Sequence, residues 1–243
     1  MANLALARLE TALRDRKLDR TLTTALPGWE PRDEAAALAT NIAPLDASLR
    51  GGFPRGQLSE VVGPFSSGRT TLVLQAIAAS TQRGELAALV DTFDRLDVTS
   101  AAAAGIDLDR LLWIRGGPCP EDAAVNRALK AMNLVLQAGG FACVVLDLAD
   151  VSPAVLRRIP FTTWLRVQRI IEGSDTSSVL VAPHALARSA GGLTLSLAGH
   201  SRWTGDADRN RHLTGADFTV RIVSPRRRVD GEVSFNASAN NFH

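Results

Sequence analysis

The sequence predicts an α/β protein with a mostly parallel central sheet, an antiparallel β-rich C-terminal edge, and an N-terminal helix followed by an extended segment. Between residues 57 and 182, apolar runs that suit strands alternate with helical patterns. Two of these runs, residues 86–91 and 141–147, are continuously apolar up to a terminal aspartate, as strands buried on both faces usually are. From Gly191 onward, strand-like runs follow one another without helices. The 243 residues suffice for one large domain with small appendages or for two small domains.

The N-terminal part is predicted to be a helix and a linker, together spanning residues 1–39. Residues 4–18 place leucine and alanine at helical intervals, and residues 20–26 lead into Pro27-Gly28, which favours an extended segment. This stretch lacks the long apolar core of a secretory signal. No window of about eighteen apolar residues predicts a transmembrane helix anywhere in the chain, so we expect no membrane association.

The core elements are predicted in the following order. A short helix near residues 42–50 precedes a glycine turn. Strands are predicted over residues 57–62, 86–91, 111–114, 141–147 and 178–182, and later over 193–197, 218–223 and 232–235. Helices are predicted over residues 70–82, 97–105, 121–139 and 153–172. The last helix is expected to break near Ile159, because Pro160 disfavours helical geometry in the residue before it.

A glycine-rich loop between the first core strand and the following helix predicts a phosphate-binding site. Gly63 and Gly68 frame small hydroxyl residues, and a cation, Arg69, opens the helix. In such loops successive backbone N–H groups point at an anion at the helix N-terminus. The carboxylate of Asp147, at the end of a later strand, could hold Mg²⁺ beside the phosphates, or it could cap the next helix. The candidate nucleotide-binding residues are Gly63, Ser66, Ser67, Gly68, Arg69, Thr70, Thr71 and Asp147.

Charge and cysteine content restrict the partners and the compartment. The formal net charge is only +2, but arginines cluster locally. Such clusters permit nucleic-acid contact, although they more often form a solvated face or a partner surface. The candidate DNA-binding residues are Arg157, Arg158, Arg188, Arg226, Arg227 and Arg228. The two cysteines, Cys119 and Cys143, are expected to be free thiols of a cytosolic protein, without a disulfide or a metal.

Several stretches resemble the RecA recombinase core over roughly residues 40–235. They include Gly51-Gly52-Phe53-Pro54-Arg55-Gly56, Glu60-Val61-Val62-Gly63-Pro64, Gly105-Ile106-Asp107-Leu108-Asp109 and Val144-Val145-Leu146-Asp147. More narrowly, Leu18-Asp19-Arg20-Thr21, Ser66-Ser67-Gly68-Arg69-Thr70-Thr71 and Pro160-Phe161-Thr162-Thr163-Trp164 resemble the ImuA-type accessory proteins of bacterial mutagenic translesion synthesis. The resemblance implies a RecA-like core over residues 40–237 with a short tail, residues 238–243. It also implies a role in the SOS response to DNA damage.

The departures from the RecA pattern predict lost catalysis. Arg69 replaces the lysine that reaches the outer phosphates, and the planar guanidinium is not a conservative replacement. Phe93 stands where the resemblance implies a water-positioning glutamate, and His184 stands where it implies a γ-phosphate-sensing glutamine. The adenine-stacking tyrosine is missing because the chain contains no tyrosine. We therefore expect a pseudo-ATPase without a required cofactor, although weak binding of ATP and Mg²⁺ at the loop stays open.

The leading hypothesis is a non-catalytic RecA-fold interaction protein. The resemblance implies two partners, RecA itself and an ImuB-type polymerase-like protein, with weak DNA contact and a cytoplasmic, nucleoid-associated location. In RecA an N-terminal helix and strand dock on the neighbouring subunit, and their counterparts here carry the candidate partner-binding residues Leu6, Leu9, Leu13, Leu22 and Leu26. The alternatives are a weak ATP- and DNA-binding recombinase-like ATPase and a cell-division inhibitor.

Overall fold

A computed structural model describes residues 37–187, 192–205, 211–224 and 232–238. These residues all belong to the compact unit formed by residues 34–243. The predicted N-terminal helix and extended segment lie outside the described residues. Among the described helices, none is long and apolar enough to cross a membrane.

The described elements follow the predicted order. The strands are β1 (Ala37–Leu38), β2 (Phe53–Pro54), β3 (Gln57–Val62), β4 (Leu86–Asp91), β5 (Leu111–Arg115), β6 (Phe141–Asp147), β7 (Ser177–Ala182), β8 (Thr194–Thr204), β9 (His212–Ser224) and β10 (Glu232–Ser238). The helices are α1 (Ala43–Leu49), α2 (Arg69–Gln82), α3 (Val98–Ala103), α4 (Glu121–Ala138), α5 (Pro153–Leu156) and α6 (Phe161–Ile171). A single 3₁₀ turn, Leu108–Arg110, precedes β5.

One large sheet organises the described unit. Its eight strands run in the order β10-β9-β8-β3-β7-β6-β4-β5, with β1 and β2 forming a separate antiparallel pair. All contacts from β8 to β5 are parallel, whereas β8, β9 and β10 pair antiparallel. The predicted α/β fold, with a mostly parallel sheet and an antiparallel C-terminal edge, is therefore confirmed.

The sheet is covered on both faces because successive residues of a strand point to opposite sides. Val145 of β6 packs in one core cluster with Leu72 and Ile77 of α2. Its neighbour Val144 packs in a second cluster with α4 and α6. Both faces of the central strands are thus buried, which explains their continuous apolar sequence.

One predicted element boundary agrees with the structure, and three predicted strands are shorter than the observed ones. The break near Ile159 is confirmed, since α5 ends at Leu156 and α6 begins after Pro160. The last three strands, in contrast, are longer than predicted. In β8 the residues after the predicted end at Leu197 are mostly exposed, so the apolar pattern stops although the pairing with β9 continues to Thr204.

Candidate functional site

The glycine-rich loop lies where the carboxyl ends of the central parallel strands meet. In the register of the sheet, Val62 of β3 is level with Ala182 of β7, and Asp91 of β4 is level with Asp147 of β6. Ligands of open α/β sheets bind at this edge. The fold therefore places the loop and the Asp147 carboxylate on the side where a ligand would bind.

Both glycines of the loop are required by packing within the protein. A Cβ at Gly63 would lie 2.4 Å from the Leu197 carbonyl oxygen. Gly68 caps α2 with a φ of +90°, and a Cβ there would lie 2.4 Å from the ring of Phe218. Because Leu197 and Phe218 belong to β8 and β9, the loop is pressed against the antiparallel edge. The glycines are therefore explained without a ligand.

Arg69 is the unusual residue of the site. Its side chain is buried, and its Nη1 atom finds no hydrogen-bond partner in the part of the chain that the structure describes; the same holds for the Ser67 hydroxyl. The guanidinium carbon lies 5.9 Å from the ring of Phe65, a largely exposed side chain. Burial lowers the pKa of the Arg69 guanidinium, an effect that the carboxylates of Asp147 and Asp150 oppose. The loop thus contains a desolvated cation with incomplete hydrogen bonding.

Asp147 contributes to the local fold at the end of β6. Its Oδ1 accepts a hydrogen bond of 2.8 Å from the Ala149 N–H, and its backbone oxygen accepts one of 2.5 Å from the Thr92 hydroxyl. Burial raises the pKa of Asp147 to about 6, and Asp91 adds to this shift. Among the described ion pairs within 4.0 Å, none joins Asp147 to Arg69. The carboxylate therefore caps the turn after the strand.

The carboxylates at the end of β4 are held by contacts within the protein. Phe93 packs against the core cluster of α4 and α6. Asp94 is turned toward the neighbouring strand, where its two oxygens each lie 2.7 Å from the Arg115 guanidinium. Asp91 is buried and accepts hydrogen bonds from the Arg95 and Leu96 N–H groups and from the indole of Trp113. His184 lies exposed in the turn after β7.

These contacts show which chemical groups of a nucleotide the described residues could bind. The unpartnered Arg69 and Ser67 atoms beside a helix N-terminus suit a phosphate group, which would supply the missing acceptor. At the positions where catalytic groups were expected, Phe93 has no group that could orient water, and Asp94 is paired with Arg115. Within the described ranges, no group of three or more histidine, cysteine, aspartate or glutamate side chains could hold a metal ion.

The other predicted site residues are only partly described. Arg157 and Arg158 lie exposed directly after α5, and Arg158 forms an ion pair of 3.2 Å with Asp122. Arg188 lies outside the described residues, as do Arg226, Arg227 and Arg228. The same holds for all five candidate partner-binding leucines. The DNA-binding and partner-binding assignments of these residues therefore stay predictions.

Sequence reasoning missed a cavity of about 230 Å³ between β5 and α4. The end of β4 lines it with Val90, Asp91 and Thr92, and the end of β5 lines it with Ile114, Arg115, Gly116 and Gly117. From α4 it is lined by Ala124, Arg127, Ala128 and Ala131. β5 is the edge strand of the described sheet. Leu112, on the same face of β5 as Ile114, is exposed to 44%. We call the cavity together with Leu112 and the outer side of β5, which pairs with no further strand among the described residues, the edge groove. Its only sequence signal is the helical spacing of three alanines.

Residues 17–156, more than half of the chain, match the family described as RecA N-terminal domain. The chain belongs to this family. Protein RecA of Clavibacter michiganensis subsp. michiganensis is 37% identical over 142 residues, which cover 57% of this chain and 37% of that protein. Protein RecA of Chlorobaculum parvum is 40% identical over 112 residues, covering 46% of this chain and 30% of that protein.

A third RecA-family relative shows where the similarity is densest. Protein RecA of Synechocystis sp. is 47% identical over 75 residues, which cover 31% of this chain and 21% of that protein. The chain thus matches no more than 37% of the length of these three curated relatives. Membership in the family establishes the RecA-like core, and the relatives' activity is not carried over with it.

Proposed function

We propose that this RecA-family chain is a non-catalytic accessory protein of the DNA damage response. It acts in mutagenic translesion synthesis as an ImuA-type protein, by binding RecA or an ImuB-type polymerase-like partner in the cytoplasm. The observation that carries the proposal is the contrast between two parts of one sheet. The loop region has altered catalytic positions, whereas β5, the lateral edge strand of the described sheet, lies beside a cavity lined partly by apolar side chains of α4.

The altered catalytic positions support the absence of ATP hydrolysis. Phosphoryl transfer depends on positioned cations and on a group that orients the attacking nucleophile, and losing one such contact typically lowers the rate by orders of magnitude. Here Arg69 is buried, with its guanidinium carbon 5.9 Å from the Phe65 ring, and Asp94 is bound to Arg115. We therefore infer a pseudo-ATPase.

The edge groove supports binding to RecA. The resemblance implies that the N-terminal helix and strand of one RecA subunit dock on the next subunit. An incoming strand needs unpaired backbone groups on a sheet edge and a pocket for its apolar side chains. β5 provides the edge, and the cavity lined by Ile114 and Ala128 provides the pocket. A chain with this groove can accept the end of a RecA filament and stop its growth.

The test is binding to purified RecA, measured by surface plasmon resonance with full-length chains. Leu112→Glu introduces a charge at the groove, and we expect it to weaken binding by about tenfold or more, as the loss of an interface hot spot does. Leu108→Glu is the matched control because Leu108 is similarly exposed, at 40%, but precedes β5. Equal affinities of the wild type and Leu112→Glu would reject the groove as the RecA site.

A second surface is tested separately in the same assay. Leu22→Asp and Leu26→Asp change the predicted N-terminal docking segment. If these variants lose binding while Leu112→Glu retains it, this chain docks on RecA through its own N-terminal segment. If none of the three variants changes the affinity, docking on RecA in the manner of neighbouring RecA subunits is wrong.

One observation favours a second candidate, the weak ATP- and DNA-binding protein. The buried Arg69 Nη1 and Ser67 hydroxyl lack partners among the described residues, and a phosphate would satisfy both. Calorimetry with ATP-Mg²⁺ and with ADP separates the candidates. Micromolar binding together with DNA-stimulated phosphate release that Arg69→Ala abolishes would replace the accessory role with an enzymatic one.

A further inference from the structure

Helix α6 is fixed rigidly on the sheet, and this leaves one of its faces turned outward. Trp164, Val167 and Ile171 are buried against the core. The amide of Gln168 ties the helix to the start of β3: its Oε1 accepts from the Leu58 N–H at 3.0 Å, and its Nε2 donates to the Gly56 carbonyl at 3.1 Å. The outward residues are therefore presented on a preformed surface.

The outward face of α6 combines apolar and cationic side chains. Phe161 and Leu165 lie one turn apart and are 48% and 46% exposed. Arg166 lies beside Leu165, and Arg169 follows one turn later. We call Phe161, Leu165, Arg166 and Arg169 the α6 face.

Few described acids neutralise the α6 face. Asp122 of α4 pairs with Arg158 at 3.2 Å, an exposed contact, and Glu172 follows the helix. Arg166 and Arg169 form no ion pair within 4.0 Å among the residues with described positions. Within the described residues, the surface thus offers two guanidinium groups without an ion pair beside exposed apolar area.

We propose that the α6 face binds an acidic amphipathic segment of a partner protein. Exposed apolar area flanked by charge marks interaction sites, and phenylalanine and arginine are both enriched at protein interfaces. An incoming helix with apolar residues one turn apart would cover Phe161 and Leu165. Its carboxylates would meet Arg166 and Arg169. This surface belongs to α6 and is independent of the edge groove.

A nucleic acid is a poorer complement to the same face. Single strands are held by a basic track and by stacking on flat rings. Leu165 has no ring, so it would be covered without gaining a stacking partner. The apolar pattern therefore favours a protein segment.

The experiment uses the full chain and a fluorescein-labelled synthetic peptide of about fifteen residues, long enough for a helix to form on binding. The peptide carries Phe and Leu one turn apart among Asp and Glu residues. Comparison probes are a peptide of the same composition with the apolar residues dispersed, a peptide with Lys in place of the acids, and a thymidine oligonucleotide. Fluorescence anisotropy measures all four affinities at two salt concentrations.

We expect the acidic amphipathic peptide to bind at least about tenfold more tightly than the dispersed and lysine peptides, a difference that a few buried side chains supply. Phe161→Ser combined with Leu165→Ser, and separately Arg166→Glu combined with Arg169→Glu, are each expected to weaken it by about tenfold or more. The matched controls are Val98→Ser on α3 and Lys130→Glu on α4, which we expect to leave the affinity unchanged.

Two results would overturn the proposal. One is equal affinity for the three peptides, or peptide binding that neither double variant changes. The other is tight oligonucleotide binding that Arg166→Glu with Arg169→Glu abolishes, which would assign the face to nucleic acid. All four changed side chains are exposed, so an unchanged melting temperature confirms that each variant is folded.

Discussion

Replacing Arg69 with methionine tests whether the loop is now a structural element. Arg69 is only 6% exposed as a residue, and its Nη1 is buried without a described partner. A cation in that position loses its hydration and regains little from the Phe65 ring, which lies 5.9 Å away. Methionine keeps a similar length and flexibility without the charge, so it removes the desolvation cost and leaves little empty space.

The expected gain follows from the cost of an unsatisfied buried donor. Such a group costs about 1–3 kcal/mol, and more when it is charged. We therefore expect Arg69→Met to raise the free energy of unfolding by about 2 kcal/mol at neutral pH. In a domain of this size each kcal/mol shifts the melting temperature by roughly 2–4 °C, so the expected rise is roughly 4–8 °C.

Differential scanning calorimetry in a chloride buffer without polyvalent anions measures this shift. Arg157→Met is the matched control, because Arg157 is exposed and its replacement should change stability by no more than about 0.5 kcal/mol. A lower melting temperature for Arg69→Met would refute the reasoning, since the guanidinium would then be stabilising. Added pyrophosphate that stabilises only the wild type would show that the loop still binds an anion.

Three further changes test individual contacts. The pKa of Asp147 is raised from 3.8 to about 6, so the wild type loses stability as pH rises through that window. Asp147→Asn should therefore raise the free energy of unfolding by on the order of 3 kcal/mol above about pH 7 and leave it unchanged near pH 4, as thermal melts at several pH values would show. Gly68→Ala should lower the free energy of unfolding by about 1–3 kcal/mol through its positive φ, and further through the clash of the new Cβ with the Phe218 ring. Adding Phe218→Ala in the same chain should relieve only the clash, as urea titrations of both variants would show. Gln168→Ala should cost about 1–3 kcal/mol because the buried Leu58 N–H loses its acceptor, and unchanged stability in urea would contradict that contact.

The core of the fold was predictable because each central strand is buried on both faces. Apolar runs such as residues 141–147 carry that burial in the sequence itself, and Pro160 marks a helix boundary through its own ring geometry. The extent of β8 was not predictable, because its exposed half pairs with β9 through backbone groups that leave no pattern in the side chains. Features that depend on neighbouring residues, such as the burial of a strand and the break at Pro160, were therefore predictable from the sequence.

Sequence reasoning named the glycine loop and Asp147 as candidate site residues, but not the contacts around them. Both lie at the carboxyl edge of the central strands. The hydrogen bonds that hold Asp94 on Arg115 join residues from two strands, and the edge groove joins a strand to a helix. Such pairs depend on the tertiary arrangement, which no single segment encodes.

The glycines and the arginine of the loop have different physical explanations. The glycines are held by contacts inside the protein, since Gly63 faces the Leu197 carbonyl and Gly68 faces the Phe218 ring. Their presence follows from the junction of loop and β-edge whether or not a phosphate binds. The guanidinium of Arg69 has no such internal explanation, because its buried nitrogen lacks a partner among the described residues. Substitutions at residue 68 therefore report on the fold, whereas those at residue 69 report both on the cost of burying the cation and on anion binding. The proposed accessory role predicts that the loop is kept for its packing and that no nucleotide satisfies Arg69.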